Sequence, residues 1–92
     1  MSGEEGTLRL DKWLWHARFI RHRGLAEDLV ARRRVRLNEQ VVTKTHQLVR
    51  PGDVITLTEP VRLRVLRVQA LGARRGPASE ARALYEEITR LD

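Results

Sequence analysis

Two short apolar stripes at helical spacing, set in the most basic part of the chain, restrict the fold more than any other feature. Leu10, Trp13, Leu14, Ala17 and Ile20 follow the i, i+3, i+4, i+7, i+10 pattern of one buried face and predict a helix over residues 10–21. Leu25, Ala26, Leu29 and Val30 give a second apolar face, on a helix from about Leu25 to Arg32. His22, Arg23 and Gly24 interrupt the pattern and place a tight turn between them. Asp11, Glu27 and Asp28 lie near the two helix starts and Arg32, Arg33 and Arg34 at the second helix end, the signs that suit the helix dipole. The expected unit is a helical hairpin with bases at its joint and its exit.

Charge is concentrated on that hairpin. Residues 9–36 hold nine Lys or Arg side chains against three acids, so this segment alone carries +6, equal to the net charge of all 92 residues. The acidic start and the remainder of the chain cancel. A concentrated basic surface on a small folded unit is the electrostatic footprint of a nucleic-acid binder. The preference for Arg over Lys, sixteen to two, says less, because it continues past residue 60 and reflects overall composition.

Ninety-two residues suffice for one small domain. Residues 1–7 (MSGEEGT) read as a flexible acidic tail without the features of a secretory signal, and residues 8–92 as the domain. An apolar fraction of 41% is enough for a core, and no apolar run reaches the length of a membrane span. The chain has no cysteine, which excludes a disulfide framework and agrees with a cytoplasmic location.

Beyond the hairpin the pattern changes to strands. Val35-Arg36-Leu37 alternates, Asn38-Glu39 is a turn pair, and Gln40-Val41-Val42 returns. Residues 43–47 form a loop, Pro51-Gly52-Asp53 a turn, and residues 54–58 a strand. Residues 61–68 begin as a strand with Val61, Leu63 and Val65 on one face and Arg62 and Arg64 on a solvated one, and Leu66 suggests a bulge or strand end. Ala81, Leu84, Tyr85, Ile88 and Leu91 predict a closing helix from Pro77 to Arg90.

Catalytic chemistry finds little footing. His16, His22 and His46 lack metal-ligand spacing, and no nucleophile or phosphate-loop motif occurs. Neither an enzyme activity, a cofactor, a small-molecule substrate nor a metal is expected. Trp15 and Phe19 admit two readings: packing against the closing helix, the common fate of large aromatics, or an exposed platform for a base or a protein partner.

The segments RLDKWLWHARF, HRGLAEDLVARRRVRLNEQ and VRPGDVITL resemble the S4 RNA-binding domain family. The opening RLDKWLW and the closing RRGPASEARALYEE are similar to its small ribosome-associated branch, which serves in heat shock and in bacterial ribosome quality control. The resemblance implies an α+β, S4-type (alpha-L) fold: a basic helical hairpin on a small twisted, mostly antiparallel sheet, with a C-terminal helix. It implies a protein, read as a monomer, that binds ribosomal RNA of the large subunit. It further implies recognition of split subunits carrying peptidyl-tRNA, in rescue or quality control of stalled translation. The RNA-facing residues carried over are Arg9, Lys12, Arg18, Arg21, Arg23, Arg34 and Arg36, to which Arg33 adds a base. Arg9, Arg18 or Arg23 could instead pair with Asp11 or Asp28. Three positions depart from the family: Arg33 stands where Gly is usual, Glu39 follows Asn38 where Gly is usual, and His22 replaces a usual Thr, Ser or basic residue at the joint. Glu39 predicts a longer turn than the primed two-residue type. The rivals are a general structured-RNA or ribosome-assembly module and a protein adaptor built on the aromatic face.

Overall fold

The computed structural model describes residues 6–58 and 63–89; Val61, Arg62, Leu91 and most of the acidic tail, on which parts of the sequence reading fall, lie outside them. In chain order come β1 (Leu8–Arg9), α1 (Leu10–His16), α2 (Gly24–Ala31), β2 (Val35–Leu37), β3 (Gln40–Val41), β4 (Leu48–Val49), β5 (Val54–Thr58), β6 (Leu63–Val68), α3 (Ala78–Arg82) and β7 (Tyr85–Glu87). β1 and β4 pair as a small antiparallel ribbon. The other strands form one antiparallel sheet in the order β3-β2-β5-β6-β7. This is the mixed α+β class expected.

The first stripe is the centre of the core. Leu10, Trp13 and Leu14 have no solvent exposure, and Ala17 and Ile20 are buried with them. The helix itself is shorter than its stripe: α1 stops at His16, not at residue 21. The Phe19 N–H donates to the Leu14 carbonyl at 2.9 Å and the Arg18 N–H to that of Trp15 at 3.1 Å, a paired closure that turns the chain through a left-handed residue. That residue is Arg18, at φ +65°. α2 ends the same way: Arg34 bonds back to Leu29, Arg33 to Val30, and Arg33 has φ +60°. Glycine is usual at this position. An L side chain there costs roughly 1–2 kcal/mol. Local pattern alone therefore overran the first helix, because an arginine occupies the place where a glycine would have marked the stop.

The β2–β3 hairpin corrects the sequence reading. Leu37 faces Gln40 across a two-residue turn, with Asn38 at φ +51° and Glu39 at φ +74°. This is the tight primed type, not a longer loop. Asn38 holds it. Its amide oxygen accepts from Val54 N–H at 2.9 Å, and its amide nitrogen donates to Asp53 at 3.1 Å. Glu39 bears the remaining strain. Glu39→Gly is expected to stabilise the fold by about 1 kcal/mol. That corresponds to a rise in Tm of roughly 4–8 °C for a domain of this size, readable by thermal melting.

β6 runs without a bulge: Val54 to Thr58 face Arg67 to Leu63 in unbroken register. The inward set is Leu66 and Val68, both buried, with Arg64 on the same parity. Leu63 points outward and is about half exposed. The early alternation therefore had the wrong phase, and Arg64 lies on the half-buried side rather than on a solvated one.

The closing helix is also corrected. Only Ala78–Arg82 is helical; Tyr85–Glu87 forms a strand on the outer edge of β6. An open edge of β6 offers ladder bonds that a helix would leave unmade. Cross-strand ion pairs support the pairing, Arg64 with Glu87 at 2.6 Å and Arg67 with Glu86 at 3.0 Å. Ala81 and Leu84 are still buried, so the apolar stripe served a one-and-a-half-turn helix and the bend after it.

The segment between β6 and α3 is stitched across α1. Trp13 Nε1 donates to the Ala70 carbonyl at 2.9 Å, and His16 Nδ1 lies 3.1 Å from that of Leu71. Arg18 Nε donates to the Gly76 carbonyl at 2.6 Å. Phe19 packs among Trp13, Tyr85 and the Arg64 guanidinium, at 6.0, 4.7 and 5.0 Å from its ring. Trp15 is half-buried beneath Arg75, 6.0 Å from its ring centre. Both aromatics thus contribute to packing, against a strand and a loop rather than against a helix.

Candidate nucleic-acid interface

α1 begins where β1 ends, so Arg9 stands in extended conformation as the residue capping the helix start. The N–H groups of Leu10 and Asp11 donate to the carbonyls of Gln47 and Thr45 in the loop before β4. This anchors the first turn and buries Asp11, whose side chain is 8% exposed. A buried carboxylate requires partners, and two arginines supply them. Arg9 Nε and Nη2 donate to the two Asp11 oxygens at 3.2 and 2.9 Å, a fork-on-fork contact. Arg23, which caps the start of α2, donates from Nη2 to Asp11 at 3.2 Å.

The sequence offered Asp11 as a first-turn carboxylate or as the partner of one arginine; in the fold it joins two helix starts. Arg9 and Arg23 nonetheless stay 49% and 43% exposed, so each presents part of its fork to solvent. The group carries +1 net and holds both guanidinium groups in fixed orientation. Beside it opens a recess of about 310 Å³ lined by Thr7, Leu8, Arg9, Lys12 and Leu48. Lys12 therefore belongs to the same face. Leu48, 47% exposed, supplies an apolar patch there that charge reasoning did not find.

The other expected residues separate into groups. Arg21 is exposed in the turn after α1. Arg33, Arg34 and Arg36 lie past the far end of α2, whose eight residues span about 12 Å from the Arg23 end. Arg33 and Arg36 are exposed and Arg34 is half-buried. Arg32 pairs with Asp28 at 3.5 Å along its own helix. Arg18 is drawn away to Gly76 on the side of the C-terminal segment. Arg74 pairs with Glu80, whose carboxylate holds the guanidinium pKa above its ordinary value. Arg75 covers Trp15 and donates to the Ile20 carbonyl, a packing role.

Among the described residues no group of three or more His, Cys, Asp or Glu side chains converges, and no helix is long and apolar enough to cross a membrane. His16 is buried on the Leu71 carbonyl and faces no carboxylate partner in the described contacts.

A small domain with a basic helical hairpin, two arginines braced by one carboxylate, and an antiparallel sheet behind them matches a known class. The S4 domain family profile covers residues 8–55, and the chain belongs to that family. It is homologous to heat shock protein 15. Heat shock protein 15 of Escherichia coli K12 is 41% identical over 80 residues, 87% of this chain and 59% of the relative. The homologue from Haemophilus influenzae is 35% identical over 83 residues, covering 90% of this chain and 63% of its own length. The chain thus spans about three fifths of these relatives. The solved structure of heat shock protein 15 from Vibrio cholerae superposes with a TM-score of 0.81 at 37% identity, covering 88% of this chain and 81% of that one. That relative is trimeric, in contrast to the monomer expected here from sequence.

Proposed function

We propose that this protein binds ribosomal RNA of the large subunit through the face built on Arg9, Lys12 and Arg23, and that it acts in the cytoplasm on split subunits still carrying peptidyl-tRNA, in rescue or quality control of stalled translation. The observation that carries the RNA part is the pair of half-exposed arginines, one from each helix start, locked by the buried Asp11. Guanidinium forks grip phosphate in two-point contacts, and fixing them beforehand lowers the entropy lost on binding. Arg21, Arg33, Arg34 and Arg36 extend the positive surface along the hairpin. The homology to heat shock protein 15 supports the ribosomal reading. The adaptor reading loses weight because Trp15 and Phe19 are engaged in packing.

The test is co-sedimentation with empty large subunits, large subunits holding peptidyl-tRNA, and whole ribosomes. Selective binding to the loaded subunit, weakened by Arg9→Ala or Arg23→Ala, is the expected result. With about five phosphate contacts, log affinity falls with log salt at a slope of roughly −4. Equal binding to all three particles would reduce the function to general RNA binding, and binding to none would sink the ribosomal proposal.

A further inference from the structure

Arg18 was expected on the same face as Arg9 and Arg23, and the fold separates it from them. It lines instead a cleft of about 200 Å³ between the end of α1 and the C-terminal segment, together with Arg64, Arg82, Phe19, Tyr85 and alanines of α3. Three arginines from parts of the chain distant in sequence line it. Glu87 pairs with Arg64 and offsets one charge, so the cleft keeps a local excess of +2 among the described groups.

The arrangement is held in place before any ligand arrives. Arg18 occupies a left-handed backbone position, φ +65°, where glycine would be relaxed. Its Nε is spent on the Gly76 carbonyl at 2.6 Å, which aims the rest of the fork. Arg64 is fixed by two bonds to Glu87 and by the Phe19 ring beneath it. Arg82 is exposed on α3 and forms no ion pair among the described residues. The left-handed position and the Gly76 bond together fix where the Arg18 fork points. A planar fork with donors left over suits a tetrahedral oxyanion.

We infer that the Arg18–Arg64–Arg82 cleft is a second phosphate-binding site, which takes a backbone phosphate of the bound RNA on a different side of the domain from Arg9 and Arg23. This rests on the RNA-binding reading and adds to it: the domain holds RNA at two separated points instead of along the hairpin alone. The cleft residues are Arg18 and Arg82 as direct donors, with Arg64 as the fixed charge at the floor.

Two variants test it. Arg82→Ala removes an exposed donor without touching the fold. Arg18→Gly removes the fork while relaxing the backbone, so its thermal midpoint stays near that of the parent. Each is expected to weaken RNA binding about fivefold at 0.1 M salt and to make the salt slope shallower by roughly 0.7–0.9, one contact's share. Side-chain NMR signals of Arg18 and Arg82 should shift over the same range of RNA concentration as that of Arg23. Signals that respond to millimolar orthophosphate but not to RNA would make the cleft a free-anion site and overturn the proposal. RNA binding with unchanged affinity and slope in both variants would overturn it too, while leaving the Arg9–Arg23 face intact. If the parent protein bound no RNA at all, the functional reading itself would fall.

Discussion

Trp13→Ala is expected to remove about a fifth or more of the folding free energy. The Trp13 side chain is wholly buried, in contact with the Phe19 ring on one side and at the centre of the α1 stripe. Truncating a buried tryptophan costs about 3–5 kcal/mol, part transfer and part cavity. A domain of this length has only about 5–14 kcal/mol in total at ordinary values per residue. The Nε1 bond to the Ala70 carbonyl adds a second consequence. That bond and the two from His16 and Arg18 hold the segment before α3 across α1, and Trp13 is the largest of the three and has no solvent exposure. Loss of Trp13 therefore loosens the approach to β7 as well. The expected fall in Tm is roughly 15–30 °C. Thermal melting by circular dichroism reads it, with Trp15→Ala as control. Trp15 is half-buried over an arginine and should cost less than half as much. Equal losses for the two variants would show that the core is not centred on α1.

What the sequence revealed, and what it hid, follows from how far each signal reaches along the chain. The stripe from Leu10 to Ile20 is a contiguous pattern, and every member of it is buried. The β2–β3 and β5 strands are likewise local alternations between turn residues. Two failures were local, the stop of α1 at Arg18 and the primed turn at Asn38-Glu39, where residues other than glycine take positive φ. In the others something remote decided. Tyr85–Glu87 forms a strand because β6 has an edge to fill and because Arg64 and Arg67 stand opposite two glutamates about twenty residues away. Residues 78–88 taken alone also satisfy a helix period. The phase of β6 was misread because Arg64 sits on the inward side, stabilised by the Phe19 ring from the turn after α1 and by a carboxylate from β7. At the site, the family motif pointed to Arg9, Lys12 and Arg23, which the fold does bring to one region. It also pointed to Arg18, which the fold does not. No periodicity could have separated them, since the division depends on a left-handed turn at a residue that is not glycine.

Asp11→Ala is expected to weaken RNA binding although it removes a negative charge from a surface meant for phosphate. Simple charge counting gives the opposite sign, so the variant separates two accounts of the site. A phosphate gripped on the outer side of Arg9 or Arg23 stands roughly 6–7 Å from the carboxylate, where the repulsion is worth about 0.6 kcal/mol in water and less once screened. Against that stands the order Asp11 imposes. It holds one arginine by two bonds and the other by one. Released, each side chain regains rotamer freedom that binding must then remove, at about 0.5–1.5 kcal/mol apiece. The balance is a loss of roughly 1–2 kcal/mol, or about five- to thirtyfold in affinity. Stability should fall by only about 1 kcal/mol, because both arginines can turn to solvent instead of remaining buried without a partner. Asp11→Asn keeps one acceptor and should lie between parent and alanine. Fluorescence anisotropy with a fixed structured RNA, at two salt concentrations, reads the sign directly. The salt slope should hardly change in Asp11→Ala, since the number of phosphates contacted is the same and only their grip is looser. Tighter binding by Asp11→Ala would mean that Arg9 and Arg23 act as diffuse charge, and that the carboxylate between them serves the fold and not the ligand.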